Sequence, residues 1–309
     1  MTETEMVLHE LFETHLNVSW LRPDNVSWET TASYLVKKQG ISRPALDMGC
    51  GNGIFSFITA GGEFGVDFDW YIQVQVDEQA RTDIYDAAPT DLAPSVVRMP
   101  DYRIDVGLDF KQNLLDQSAL LGFYERCVPH NANDPLPFED GEFATIFSNI
   151  LYWLDEPVKV LREIRRVLSD DGRAILCVPD PTFYTLCESY RWRELDSDWL
   201  RLLNGGRDQC IRWTATESEF RGMSSEAGLS VDYHQRYLRR RTLQLWDLGL
   251  RSVSRPLIKM VNNLNRDQRA EFKREWMNAA RPLVKALQKE EMGPGNDGGF
   301  HFFVLRKAP

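Results

Sequence analysis

Apolar residues recur along this chain in two alternating rhythms. Near the N-terminus Val7, Leu8, Leu11, Phe12 and Leu16 fall near helical spacing, which predicts an amphipathic helix. "SWETTASYLVKKQG" predicts a second helix, opened by Ser27 and stopped at Gly40. "PALDM", opened by Pro44, reads as a short strand. Ile104, Val106 and Leu108 alternate towards Asp109, another strand, and "KQNLLDQSALLGFY" returns to helical spacing until Gly122. "ERCVPHNA" (125–132) and "FATIFSNI" (143–150) read as strands. "EPVKVLREIRRVLSDDG" predicts a helix with Val158, Leu161, Ile164 and Leu168 on one face, ending at Gly172, and "RAILCVPD" a buried strand after it. A helix ending at Gly228 and the strand "VDYHQRYL" follow. Residues 240–292 are helical in pattern, and "GGFHFFVLRK" is a last aromatic strand. Strands alternating with helices predict an α/β fold with a mostly parallel sheet.

This pattern divides the chain. Residues 1–40 form an N-terminal helical cap, 41–239 with 294–309 a core, and 240–293 a helical insertion before the last strand, expected to be a lid over a substrate. Two stretches interrupt the core: an irregular one at 60–102, and one at 183–213 rich in Trp, Tyr and Arg. The 309 residues suffice for a substantial buried core. A net charge of −10 disfavours a nucleic-acid partner, because it repels phosphate backbones. "MTETEMVLHE" has neither the basic nor the apolar region of a signal peptide, and no apolar run is long enough for a membrane span. Cys50, Cys127, Cys177, Cys187 and Cys210 form no CxxC pair and are expected to be free thiols in a cytoplasmic protein. No spaced His, Cys or Asp cluster predicts a metal, and nothing indicates the oligomeric state.

The stretch "LDMGCGNGIF" (46–55) carries the candidate chemistry. A strand, a tight glycine turn and a helix start form the nucleotide cradle of doubly wound sheets, since glycine admits positive φ and close approach of a ligand. The spacing Gly49, Gly51, Gly53 departs from the GxGxxG of pyrophosphate binders, and the acidic Asp47 would repel a pyrophosphate. The loop suits a ligand with a cationic or amine-bearing end, and an NAD-binding reading is disfavoured.

Here the sequence resembles the class I S-adenosylmethionine-dependent methyltransferases, whose first motif is similar to "LDMGCGNG". The resemblance extends to "LPFEDGEF" and "VLREIRRVLSDDGR" and covers roughly 44–59 and 103–182, with a weaker echo at 215–238. It implies a Rossmann-like seven-stranded sheet with helices on both faces and S-adenosylmethionine as cofactor. It also implies cofactor contacts at Asp47, Gly49, Cys50, Gly51, Asn52, Gly53, Asp109, Phe110, Asn131, Ala132 and Asn149. Asn131 stands where the family usually has an acid for the adenine amino group, and Ala144 where it often has the acid of the next motif.

Two acids compete for the ribose hydroxyls. Asp67 lies 20 residues after Asp47, the separation that dinucleotide folds use. A parallel neighbour also needs a crossover helix and another strand after the acid. Asp67 is followed by neither, whereas Asp109 is followed by both, with 22 residues from Asp109 to Asn131. Asp109 is therefore expected to bind the ribose, and Asp67 and Asp69 to belong to a solvated turn or lid.

Methyl transfer from a sulfonium needs mainly proximity and orientation, with a general base if the acceptor is a hydroxyl or amine. The weak candidates for a catalytic role are His130 and Tyr152. His9 and His15 lie on the N-terminal helix, and His234 and His301 on late strands. Tyr152 and Trp153 beside the reaction point, with Trp20, Trp28 and Tyr34 from the cap, are candidate substrate contacts, because aromatic faces attract cations. Trp192, Trp199, Trp213 and Trp246 fit an aromatic lid. "RYLRRR" (236–241) with Arg251 and Arg255 could bind an anion, although a solvated surface is the plainer reading. The expected function is methyl transfer to a small molecule, a sugar-linked or natural-product intermediate being one class. A non-methylating lyase or cyclase on the same fold, or a non-catalytic S-adenosylmethionine-binding regulator, are the alternatives.

Overall fold

The structure, a computed structural model, describes residues 2–72, 95–192, 194, 198, 210–295 and 297–309. The N-terminal helices are α1 (Glu3–Val18), opened by a capping box between Thr2 and Glu5, and α2 (Val26–Gln39), ended by Gly40 at φ 73°. A single 3-10 turn, Pro23–Asn25, joins them. Strand β1 (Ala45–Met48) leads through the glycine loop into α3 (Ile54–Thr59). The 60–102 insertion contributes an antiparallel pair, β2 (Glu63–Phe64) and β3 (Val96–Arg98), outside the main sheet.

The core continues with β4 (Ile104–Asp109), α4 (Gln112–Leu120), β5 (Tyr124–Pro129) and β6 (Phe143–Ser148). Next come α5 (Pro157–Val167) and β7 (Leu168–Pro179). The predicted helix end at Gly172 is corrected. Leu168 already has extended backbone (φ −75°, ψ 136°), so "LSDDG" joins the strand, and the register on β6 shifts between Phe143 and Thr145 to absorb it. Two single-turn helices, α6 (Phe183–Leu186) and α7 (Glu188–Arg191), precede α8 (Glu217–Glu226) and β8 (Leu229–Tyr237). The helical insertion supplies α9 (Arg240–Leu248), α10 (Ser254–Asn262) and the 26-residue α11 (Arg266–Glu291), before β9 (Phe300–Lys307).

The seven strands lie in the order β5-β4-β1-β6-β7-β9-β8, and only β9 runs against its neighbours. The fold is the mostly parallel α/β sheet expected, with helices on both faces. On one face Leu46, Met48, Ile146, Leu176 and Phe303 pack against α5 and α8. On the other, Phe147, Ile175 and Phe302 pack under α2 and α9, and Ile104 packs with α1, α3 and α4. β1 is buried along its whole length, as a strand covered on both faces must be. From β1 the chain passes outward through β4 and β5, then returns to β6 on β1's other side. That reversal puts a crevice at the carboxyl ends of the strands, where open α/β sheets take their ligands.

Candidate functional site

The glycine loop lies at this crevice, and most of its geometry is backbone. The Gly49 and Cys50 amides donate to the Leu108 carbonyl at 2.7 and 3.0 Å, which ties the turn to the end of β4. The Gly51 amide donates to Asp109 Oδ2 at 2.9 Å. Asp109 Oδ1 accepts from the Lys111 amide at 2.9 Å, and the Ser118 hydroxyl of α4 donates to the Gly51 carbonyl at 2.7 Å. The three glycines have φ of 84°, 55° and 76°, a region that residues with a Cβ rarely occupy. A Cβ on Gly49 would lie 2.4 Å from Ile150, and one on Gly53 2.7 Å from Tyr124, whereas one on Gly51 would meet nothing within 4 Å. Packing thus closes the first and third glycines, and the middle one faces open space.

Asp109 and Asp67 part company here. Asp109 sits at the carboxyl end of β4, largely buried, and each carboxylate oxygen keeps acceptor capacity beyond its one amide. Asp67 is exposed in the β2–β3 region and accepts from Ser95 at 2.9 Å. Asp69 corrects the expectation of a solvated turn. It is buried, accepts from Trp20 Nε1 at 3.0 Å and pairs with Arg269 of α11 at 2.5 Å. Trp20 is corrected with it: fully buried, edge-on to Tyr71 and Phe272, it is a strut between cap, insertion and core rather than an aromatic open to a substrate.

Asp47 is buried in β1, where Ser56 and Tyr124 donate to its Oδ2 at 2.5 and 2.7 Å. Burial pushes its carboxyl up to about 6, against the pull of those two hydroxyls. Cys50 is buried too, and desolvation with the nearby Asp47 and Asp109 holds its thiol well above the usual range, so it is no nucleophile. Asn52 is half-buried and turns its Oδ1 onto the Ile54 amide at 3.3 Å. Phe110, beside the acid, is 64% exposed, a large ring with no packing partner on most of its surface. Asn131 is exposed and Ala132 buried; the His130 amide donates to the Asp109 carbonyl at 2.9 Å, which brings this turn to the same edge. His130 Nε2 and Asn149 Oδ1 are buried without a hydrogen-bond partner among the described residues.

An open middle glycine, a carboxylate with spare lone pairs, an exposed ring and two orphaned polar atoms around one crevice fit a polar, ring-bearing ligand. The residues therefore accommodate an adenosyl cofactor.

The aromatics divide. Tyr152 is corrected as an acid–base candidate: it is buried, edge-on to Phe300 at 5.7 Å, and desolvation drives its hydroxyl far from ionisation. Trp28 and Trp153 are half-buried on the same aromatic core, and Trp28 packs on Trp246 at 4.7 Å and Phe300 at 4.9 Å. Tyr34 is also half-buried, Trp213 donates to the Leu154 carbonyl at 3.0 Å, Trp192 is 42% exposed, and Trp199 lies outside the described residues. Three of the four arginines of 236–241 are committed within the protein. Arg236 donates to the Gly298 carbonyl, Arg239 to the carbonyls of Glu290 and Gly293 at the end of α11, and Arg241 pairs with Glu290. His9 and His15 are on α1; His234 and His301 are on β8 and β9, bonded to each other at 2.9 Å.

A strand, a glycine turn whose amide holds the next strand's acid, and a helix at the switch point define a Rossmann-like cofactor-binding domain. Residues 102–176 match the family model described as a methyltransferase domain. No curated protein matches the sequence significantly. Among solved structures, the chain is similar to a SAM-dependent methyltransferase of Thermotoga maritima (12% identity, 98% of this chain and 92% of that one, TM-score 0.45). It is similar to one from Mesorhizobium loti (12%, 89% and 98%, 0.45), and to the [4+2]-cyclase SpnF (14%, 85% and 75%, 0.41). These are distant likenesses from which nothing about the substrate follows.

One shifted carboxyl outside the glycine loop has no signature in the sequence. Glu29 of α2 lies among polar groups of the cap, where desolvation raises it to about 7, against the Ser19 hydroxyl and Arg22. No motif surrounds it, and on a helix of mixed polarity it reads as surface.

Proposed function

We propose that this chain is an S-adenosylmethionine-dependent methyltransferase acting on a small-molecule acceptor. The observation that carries the reading is the Gly51–Asp109 hydrogen bond beside the open face of Gly51. In this reading the remaining lone pairs of Asp109 take the ribose hydroxyls, Phe110 covers the adenine, and Asn131 and Ala132 line its edge. The glycine loop and Asn149 hold the amino-acid end. The bound cofactor supplies an activated methyl group, and the chain supplies proximity and exclusion of water. Its aromatic wall of Trp28, Trp153 and Trp246 supports an apolar or aromatic acceptor, with the helical insertion 240–293 as lid. No helix among the described residues is long and apolar enough to cross a membrane. The absence of a disulfide among the described cysteines supports a reducing, cytoplasmic location.

Calorimetric titration of S-adenosylmethionine and S-adenosylhomocysteine tests the cofactor. Transfer of labelled methyl to a panel of small hydroxyl and amine compounds tests the reaction. Absence of binding by either ligand overturns the reading; binding without transfer to any acceptor moves the weight to the non-methylating alternatives.

A further inference from the structure

Three helices set the position of Glu29. Ser33 of α2 meets Thr59 of α3 at 2.8 Å, and one turn earlier on each helix stand Glu29 and Phe55. His15 of α1 touches both pairs. Its Nε2 lies 2.8 Å from Ser33 Oγ, its Nδ1 3.6 Å from Glu29 Oε2, and its ring 6.0 Å from that of Phe55. The two helices therefore run in the same sense, with Glu29 and Phe55 at their starting ends. Phe55 directly follows the glycine loop and stacks on Phe147 at 5.8 Å, next to the end of β6. Glu29 thus stands at the ligand-binding end of the sheet, across α3 from the cradle.

Its surroundings are asymmetric. The side chains of His15, Arg22 and Asp24 are 3%, 7% and 1% exposed, and Ser33 and Thr59 are buried, while Glu29 keeps 29% of its side chain open. Ser19 Oγ donates to Glu29 Oε2 at 2.8 Å, which leaves Oε1 without a partner among the described residues. Glu29 is thus a part-open carboxyl at the starting end of α2, and the buried groups around it raise it to about 7 by desolvation. Trp28, its neighbour in sequence, joins the aromatic wall described above.

We propose that Glu29 is the acceptor-side carboxylate of this site, taking the proton of a hydroxyl or amine acceptor as that atom is methylated. The inference rests on the methyltransferase reading. The acceptor's O–H or N–H bond breaks, and its proton forms an O–H bond with Glu29 Oε1. The electron pair left on the acceptor atom makes the bond to the transferred methyl carbon, whose former bonding pair stays with the donor sulfur. The other ionisable groups facing Glu29 are already committed. His15 is held neutral by burial, down to about 3, and Arg22 and Asp24 pair with each other at 2.8 Å. From α11, Gln288 reaches α2 at Thr31, while Glu291 is bonded to Leu238, Arg239 and Thr242; Asp247 of α9 is held by Ser189. His15, with Ser33 and Thr59 behind it, is a positioning residue.

The test needs no known acceptor. S-adenosylhomocysteine is uncharged at the transfer position, and sinefungin carries an ammonium there. Wild type, E29Q and E29D are titrated with both from about pH 6 to 9, with thermal melts to verify folding. A carboxylate across the reaction point favours the ammonium by about tenfold or more. We expect wild type to show that preference above about pH 7 and to lose it below, as a carboxyl poised near neutrality would. E29Q should lose the preference and its pH dependence while keeping its affinity for S-adenosylhomocysteine, and E29D should retain part of both. If E29Q binds both probes as wild type does at every pH, the role of Glu29 is overturned and the methyltransferase reading stands. If wild type binds neither probe, that reading falls, and this inference with it.

Discussion

The amide of Gly51 donates to the carboxylate of Asp109 at 2.9 Å, joining positions 58 residues apart in the chain. One hydrogen bond thus couples the cradle's open glycine to the acid of the neighbouring strand. Replacing Asp109 by Ala removes the acceptor of the Gly51 and Lys111 amides as well as the proposed ribose ligand. Hydrogen bonds to a charged group contribute about 1.5–3 kcal/mol each. Asp109→Ala should therefore weaken S-adenosylhomocysteine binding by about ten- to a hundredfold or more. Asp67→Ala, at an exposed residue of the β2–β3 region, should bind as wild type. Calorimetry on the three proteins decides, and a loss confined to Asp67→Ala would place the ribose acid wrongly.

Two glycines of the loop should fail differently. Gly49→Ala would set a Cβ 2.4 Å from Ile150 at φ 84°, so strain and overlap add. A loss of about 2–4 kcal/mol in stability is expected, visible as a lowered unfolding midpoint. Gly51→Ala meets no atom within 4 Å and has φ 55°, inside the left-handed region. It should cost only about 1–2 kcal/mol of stability, yet its methyl would stand in the space left to the ligand. Thermal melts beside ligand titrations separate a folding defect in the first from a binding defect in the second.

The buried pair Asp69–Arg269, with Trp20 on the same carboxylate, fastens α11 to the core. Asp69→Ala would leave the Arg269 guanidinium buried and uncompensated. Removing one member of a buried pair costs about 3–5 kcal/mol. Urea unfolding should show a loss of that order. A double change to apolar residues, Asp69→Leu with Arg269→Met, should recover most of it, because no lone charge then remains.

Asp47 makes stability fall as pH rises. Its folded carboxyl sits at about 6, above its ordinary 3.8, so between those values the folded chain keeps a proton that the unfolded chain has released. The stabilisation from the protonated form is fully present below about pH 4 and is lost as pH rises through about 6. Asp47→Asn cannot ionise, so its stability relative to wild type should climb across that interval and level off above it. The plateau should be on the order of 2–3 kcal/mol. Unfolding midpoints at a series of pH values measure the difference, and a flat difference would show that Asp47 is no more costly to ionise folded than unfolded.

Much of the sheet was legible because burial imposes a period. Ile104, Val106 and Leu108 alternate, and Leu161 and Ile164 share one helical face, since each must reach a core. The sequence pattern carries the helix of 157–167 five residues too far because "LSDDG" has turn-forming composition, and only its pairing with β6 pulls Leu168 into extended backbone. Chain connectivity favours Asp109 over Asp67, and it is itself a tertiary constraint legible in sequence: a parallel strand needs its crossover.

Side-chain environment was a different matter. Trp20, Trp28 and Tyr152 share an aromatic composition, but one is a buried strut, one half-buried against Trp246 and Phe300, and one core. Asp67 and Asp69 stand two residues apart, and one is solvated while the other anchors Arg269. Glu29 became a candidate only when His15, Ser19 and Phe55, from other parts of the chain, were folded around it. Periodicity and glycine spacing by themselves determined the α/β sheet and its cofactor loop, because these depend on local backbone and on burial. The folded chain alone decided which acids are desolvated and which aromatics are buried, because a side chain's energy is set by neighbours that its own sequence segment does not contain.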